Sequence, residues 1–269
     1  MATKNNISIL GCGWLGLPLA KTLAANGFNI KGSTTSQSKI EILAGSGIEP
    51  FLLKVEAESI DGAITDFLST ASTLIIDFPP KSKTDGSSYL AKIENLIPHL
   101  EQSGIKFVLF VSSTSVYGDG SGLATEEMAV TPTTESGRQV LEAENILLSN
   151  THFETTVLRF GGLIGDERHP VYHLSGKENL ENPDNPINLI HREDCLSIIL
   201  KIIEHKIWGE VFNAVAPYHP SRYQYYTEKA RSLGLPEPHF SNKSQQSGKI
   251  VSTGKLLRYV KYNFLHPEL

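Results

Sequence analysis

Residues Ile7-Ser8-Ile9-Leu10-Gly11-Cys12-Gly13-Trp14-Leu15-Gly16-Leu17-Pro18 decide how this chain begins to fold. An apolar block runs straight into a Gly-x-Gly-x-x-Gly turn. An amphipathic stretch follows as far as Asn26, and a second apolar block starts at Phe28. The spacing predicts strand, tight turn, helix and strand, the context in which this glycine pattern carries meaning. Gly11 permits the turn, Gly13 lets a ligand approach the backbone, and Gly16 lets helix pack closely on strand. Pro18 falls in the helix's first turn, where its missing N–H costs little. The free N–H groups at such a helix start, with their partial positive charge, suit a pyrophosphate. The turn from Gly11 through Cys12, Gly13, Trp14 and Leu15 to Gly16 is therefore the expected binding site of a dinucleotide.

Outward from this turn the pattern repeats. Strand-like blocks fall at 7–11, 28–34, 50–55, 73–78, 106–112 and 155–161. Helix-like stretches fall at 15–26, 38–44, 60–69, 89–102 and 136–148. In the last of these the apolar set is Val140, Leu141, Ala143, Ile146, Leu147 and Leu148, a face broad enough to lie on a sheet. Strands alternating with helices predict a parallel sheet with right-handed crossovers. Such strands read as continuous apolar blocks because both faces are covered. The expected fold class is α/β, a doubly wound parallel sheet (a Rossmann fold) over residues 1–165. A smaller C-terminal lobe over 166–269 carries the substrate, richer in Pro, His and Asn, with helices near 192–204 and 221–233.

Composition excludes several classes. The 269 residues can bury a substantial core, and 40% hydrophobic with 20% charged residues describe a globular protein. A net charge of −5 argues against nucleic-acid or anionic-membrane partners. No apolar run approaches the ~18 residues that span a bilayer. The start MATKNN lacks a signal peptide's apolar core. The two cysteines, Cys12 and Cys195, form neither a disulfide framework nor a metal motif, so a reducing cytoplasm is the expected location. His169 and His173 are four apart, but Pro170 disfavours the helix that would align them, and no metal is expected.

An NAD-preferring site usually has an acid at the end of the second strand, where it holds the ribose hydroxyls. Here the chain reads Gly32-Ser33-Thr34-Thr35-Ser36-Gln37-Ser38-Lys39, with no carboxylate. Ser33, Thr34, Thr35, Ser36 and Lys39 are the expected contacts, and hydroxyls with a lysine favour NADP over NAD; the competing role for Ser38 is a helix cap. Phe78, Pro79 and Pro80 end the fourth strand and are expected to line the cofactor crevice. Phe160 and Gly161 end the sixth strand, where glycine lets the backbone approach the nicotinamide side. Cys12 reads either as a redox-sensitive thiol or as a small residue packed under the turn.

The fifth strand ends in Ser112-Ser113-Thr114-Ser115-Val116-Tyr117-Gly118-Asp119. With the glycine turn, VLRFGGLIG followed by Asp166-Glu167-Arg168, Asn188-Leu189-Ile190-His191-Arg192-Glu193-Asp194 and the late strand GEVFNAVAP, the chain resembles the extended short-chain dehydrogenase/reductase superfamily. The likeness is to its NAD-dependent epimerase/dehydratase branch and covers nearly the whole chain. More narrowly, the GCGWLG start with Thr34-Thr35 resembles a compact, atypical subgroup with a diverged active site. The resemblance puts Ser113 where the family orients the reacting oxygen, Ser112 beside the cofactor, Ser115 and Ser136 by the substrate, and His191 either in the pocket lining or in a structural role.

The same resemblance expects a Tyr-x-x-x-Lys pair on the following helix, whose lysine lowers the tyrosine's pKa. Ser136 stands in the tyrosine position and Val140 in the lysine position, and neither does that chemistry. Tyr117 is the nearby alternative proton donor, or else it shapes the pocket. Tyr225 and Lys229 spell the pattern at the wrong place in the topology. Arg168 either grips an anionic substrate, since guanidinium matches phosphate or carboxylate, or is a surface arginine. Two functions stay open. One is an NAD(P)-dependent oxidoreductase or epimerase acting on a small polar or nucleotide-sugar substrate through an unconventional site. The other is a catalytically silent NAD(P)-binding sensor. Helices 89–102 and 136–148 are the candidate face of a homodimer.

Overall fold

Ile7, Ile9 and Leu10 of the first strand are almost wholly buried, as the continuous apolar block requires of a strand covered on both faces. Ser8 between them is buried too, its Oγ donating to Phe67 O at 2.6 Å. The computed structural model describes residues 6–80, 88–120, 122–165, 167–241 and 248–269. Most of the MATKNN start, and Asp166 at the head of the expected C-terminal lobe, lie outside the described residues.

Seven strands form the central parallel sheet: β1 (Asn6–Leu10), β2 (Asn29–Thr34), β3 (Glu49–Leu52), β4 (Thr73–Ile76), β5 (Phe107–Ser113), β6 (Glu154–Phe160) and β7 (Val211–Ala214). Their order is β7-β6-β5-β4-β1-β2-β3. The chain thus winds outward from β1 to β3, then returns to lay β4 on the other side of β1. That reversal opens a crevice at the carboxyl ends of β1 and β4, the place where open α/β sheets bind ligands. The fold is the expected α/β doubly wound sheet.

The long helices are α1 (Gly16–Ala25), α2 (Tyr89–Glu101), α3 (Glu135–Ser149), α4 (Arg192–His205) and α5 (Arg222–Ser232). Three start on a side-chain cap: Ser88 accepts from Ala91 N, Thr134 from Gly137 N and Ser221 from Gln224 N. Each cap satisfies a donor that the helix itself leaves open. No helix among the described residues is long and apolar enough to cross a membrane.

Three expected elements differ. The block 50–55 is not one strand: β3 ends at Leu52, and Lys54–Val55 pairs antiparallel with Ile60–Asp61. The helix expected over 60–69 is therefore confined to Ile64–Leu68. On α3 the buried set is Gly137, Val140, Ala143, Glu144 and Leu147, while Leu148 is exposed. Apolar periodicity alone missed the carboxylate on the buried face.

The chain forms two compact units built from separate stretches. One comprises Met1–Ser113, Thr134–Leu158 and Ile199–Val211; the other comprises Thr114–Thr133, Arg159–Ile198 and Phe212–Leu269. The boundary expected after residue 165 falls inside a stretch of the second unit. The reason is that β6, β7 and α4 each run from one unit into the other. The second unit has its own core of Ile164, Val171, Ile187, Leu189, Tyr225, Tyr226 and Ala230. His169 belongs to this core. Its Nδ1 accepts from Val171 N at 3.0 Å and its Nε2 lies 2.9 Å from Tyr225 Oη. Burial lowers its pKa to about 4, which keeps the ring neutral.

Candidate functional site

The glycine turn is held from below and open above. Cys12 N donates to Ser33 O at 2.7 Å, Gly11 N to Ser33 Oγ at 2.9 Å and Gly13 N to Gly11 O at 2.8 Å. Gly11 has φ +109°, and a Cβ there would stand 2.4 Å from Asp77 O. A Cβ on Gly16 would stand 2.2 Å from Gly11 O and 2.9 Å from Asp77 Oδ2. Neither position has room for a side chain. Gly13 is the opposite case: it is exposed, and a Cβ would meet nothing within 4 Å. The close packing and the open approach fall on the glycines that each need explains. Leu15, which precedes α1, provides no side-chain cap, and the first turn of α1 holds no acid.

The residues around the turn divide into support and surface. Ser33 and Cys12 were expected as contacts, but both side chains lie beneath the turn. Ser33 is 1% exposed, with its Oγ occupied by Gly11 N. The Cys12 thiol packs against Gly32, where a Cβ would come within 2.8 Å of its Sγ. Burial, with Asp77 nearby, pushes that thiol up to about 12, far from the thiolate a redox switch needs. The packing reading of Cys12 is the one the geometry supports. Thr34 is also buried, its Oγ1 accepting from Ser36 N. Thr35 and Lys39 are exposed and Ser36 half-buried at the tip of β2, with Ser36 and Ser38 hydroxyls 2.9 Å apart. Across the crevice, Asp77 N donates to Leu10 O at 2.9 Å. Pro79 is exposed and Phe78 is half-buried, its ring edge-on to Tyr89 at 5.4 Å.

At the end of β5, Ser112 is buried and its Oγ donates to Glu144 Oε1 on α3. Its hydroxyl is thus turned into the protein rather than towards a cofactor. Sequence reasoning missed Glu144, although a carboxylate among the apolar positions of α3 was the available signal. Ser113, next along, is half-buried. On α3, Ser136 is exposed and Val140 is 4% exposed and part of the core. The position expected of a charged partner is thus filled by apolar packing. Glu135 and Arg138 pair with each other at 2.9 Å on the surface, which accounts for both.

Within the second unit, Tyr117 departs from the expected role. It is 6% exposed, its Oη donates to Asn213 Oδ1 at 2.8 Å, and it accepts from Arg159 Nη1 at 2.9 Å. The Arg159 guanidinium also lies over its ring at 5.1 Å. Burial raises its pKa above the ordinary tyrosine value. A hydroxyl so occupied is an anchor for the loop, not a ready proton donor. Phe160 and Gly161 are buried, and a Cβ on Gly161 would stand 2.6 Å from Asn188 O, so close packing explains that glycine. Arg168 is exposed, while Ser115 and His191 are half-buried.

The second unit also holds a polar cleft of about 390 Å³, lined by Asp119, Asn182, Asn188, Arg222 and Lys249 among others. Lys249 is half-buried, donates to Gly118 O, and has its pKa lowered by burial. Arg222 donates to Glu181 O at 2.8 Å. No short motif in the sequence marks this cleft, because its walls come from four separate stretches.

The turn, the reversal of strand order and the sheet define the fold, which is shared with solved structures of epimerase/dehydratase-type and short-chain dehydrogenase/reductase proteins. The chain belongs to the family of Protein YeeZ of Escherichia coli strain K12, with which it is 34% identical over 265 residues, covering 97% of this chain and 96% of that one. No family model matches it. Among solved structures, a conserved protein of unknown function from Silicibacter pomeroyi superposes with a TM-score of 0.79 at 23% identity, covering 98% and 95% of the two chains. A UDP-glucuronic acid 4-epimerase from Bacillus cereus, solved with UDP-glucuronic acid and NAD, gives 0.79 at 16% identity over 96% and 93%. A superfamily protein from Agrobacterium tumefaciens with bound NAD gives 0.79 at 16% identity over 97% and 92%.

Proposed function

We propose that the chain binds a nicotinamide dinucleotide, NADP in preference to NAD, at the Gly11–Gly16 turn. It acts on a small polar substrate of the nucleotide-sugar type through an unconventional active site. The observation that carries this reading is the contrast at the turn: no room at Gly11 and Gly16, open space at Gly13. An uncapped helix start beside it supplies N–H groups for the pyrophosphate. Thr35, Ser36 and Lys39 at the tip of β2 favour a 2′-phosphate over bare ribose hydroxyls, and no carboxylate lies between Gly32 and Ile40 to repel it. The residues present fit the cofactor. When bound, the nicotinamide supplies hydride chemistry; the protein's part is to hold the substrate and move protons.

Ser113 orients the substrate oxygen by hydrogen bonding. With Ser136, Val140 and the committed Tyr117 in place of the usual pair, proton transfer falls to bound water. Losing a positioned acid slows such steps by ~10²–10⁴-fold. The cleft with Arg222, Lys249 and the amides of Asn182 and Asn188 suits a diphosphate and its sugar. Solved neighbours hold UDP-sugars, which supports that class of substrate.

The test is turnover and binding together. The purified chain is expected to oxidise NADPH slowly with one member of a panel of ketones, aldehydes and UDP-sugars, and Ser113→Ala is expected to abolish it. Lys249→Met is expected to weaken UDP-sugar binding by about 10- to 100-fold, the worth of one hydrogen bond between charged groups. UDP-sugar affinity unchanged in Lys249→Met would remove the cleft from the account. The second reading, a silent NAD(P)-binding sensor, is favoured by the occupied hydroxyl of Tyr117. Tight cofactor binding without turnover on any substrate selects it.

A further inference from the structure

The last residues of the chain bring a second histidine to His191. Asp194, fully buried near the start of α4, accepts from Tyr262 Oη at 2.6 Å, Leu265 N at 2.7 Å and His266 N at 3.1 Å. These bonds fix the backbone on both sides of residue 265 and set the His266 ring on that of His191, with centroids 3.8 Å apart. Glu193 completes the group. Its Oε2 is 2.6 Å from His266 Nε2 and 3.8 Å from His191 Nδ1. One donor atom from each residue lies within 4.8 Å of the other two. The two rings are tilted by 40° to each other, and the Glu193 carboxylate lies beside both.

We infer that His191, Glu193 and His266 form a binding site for a divalent transition-metal ion of the Zn²⁺ class, which clips the C-terminal tail to the start of α4. Two imidazole nitrogens with one carboxylate oxygen are a donor set for zinc, nickel or copper rather than for magnesium or calcium. Bonds of about 2.0–2.2 Å in a tetrahedral site place donors about 3.4 Å apart. The distances of 2.6 and 3.8 Å here bracket that value, so small side-chain rotations suffice. Glu193 N donates to His191 Nδ1 at 3.3 Å, and metal coordination would use the same nitrogen lone pair in its place. The other face of the ring is backed by Gly165, where a Cβ would stand 3.4 Å from Nε2, and this leaves Nδ1 as the ligating atom. Glu193 and His266 are 59% and 37% exposed, so an ion reaches them from solvent and keeps water in its remaining position. The site does not depend on the proposed cofactor or substrate.

The experiment is calorimetric titration of the full chain, stripped with chelator, using ZnCl₂, with CoCl₂ as the spectroscopic probe. The expected result is one Zn²⁺ per chain with a dissociation constant of about 1–10 µM. The Co²⁺ form should show the visible absorption of a four-coordinate site. His266→Gln and Glu193→Gln should each weaken binding by about 10- to 100-fold or more. Both variants keep the backbone bonds to Asp194, and their melting temperatures without metal show that they are folded. Zinc should raise the melting temperature of the original chain but not of either variant. Absence of binding at ~100 µM Zn²⁺, or equal affinity in the folded variants, overturns the site.

Discussion

Gly16→Val is expected to lower the melting temperature by about 10 °C or more, the loss of about 3 kcal/mol or more that overpacking at a backbone contact produces in a chain of this size. The reason is geometric. A Cβ at residue 16 would stand 2.2 Å from the carbonyl oxygen of Gly11 and 2.9 Å from Asp77 Oδ2. The first is backbone, fixed by Gly11 N on Ser33 Oγ and by Gly13 N on Gly11 O. Relief therefore requires drawing α1 away from β1 and exposing Leu19, Ala20 and Leu23, all fully buried. Thermal denaturation followed by circular dichroism measures this, and a variant melting within a few degrees of the original would show that the turn has slack the geometry denies.

The second large effect is expected at Asp194. Replacing it with alanine removes the acceptor for Tyr262 Oη and for the N–H groups of Leu265 and His266. A carboxylate accepting three bonds in a fully buried position is worth about 3–5 kcal/mol when deleted. Burial and this carboxylate also raise the Tyr262 pKa, so the phenol stays protonated and donating throughout the physiological range. The expected outcome for Asp194→Ala is a lower melting temperature together with cleavage by protease between residues 261 and 269. Unchanged protection of that tail would mean that other contacts hold it.

The sheet was legible because its strands are unbroken apolar blocks separated by helices with clear starts. Where a block met a local competitor, reading failed: Lys54–Val55 leaves the sheet for a short antiparallel pair with Ile60–Asp61. At the turn the close packing of Gly11 and Gly16 was legible, since a Cβ at either would meet a backbone oxygen, that of Asp77 or of Gly11. Side-chain direction was not. Ser33 and Ser112 sit beside the crevice in sequence, yet point to Gly11 N and Glu144 respectively. A hydroxyl carries no periodicity that tells inside from outside. The two roles of Tyr117 stayed open for the same reason, because its partners Arg159 and Asn213 lie 42 and 96 residues away. Long-range pairs of this kind also hid His266, whose distance from His191 in the sequence gives no hint that the two rings meet.

Dinucleotide binding at the glycine turn is the central proposal, and Gly13 tests it most directly. Gly13→Val adds a side chain where a Cβ meets nothing within 4 Å, so the variant should fold and melt as the original does. The same side chain occupies the approach to the backbone that a pyrophosphate needs. Titration of both proteins with NADPH and NADH, followed by fluorescence, is expected to give one dinucleotide per chain for the original, with NADPH tighter. Gly13→Val should bind about 100-fold more weakly, a difference of about 2.7 kcal/mol. A folded Gly13→Val protein with undiminished affinity, or an original chain that binds neither dinucleotide, would contradict it.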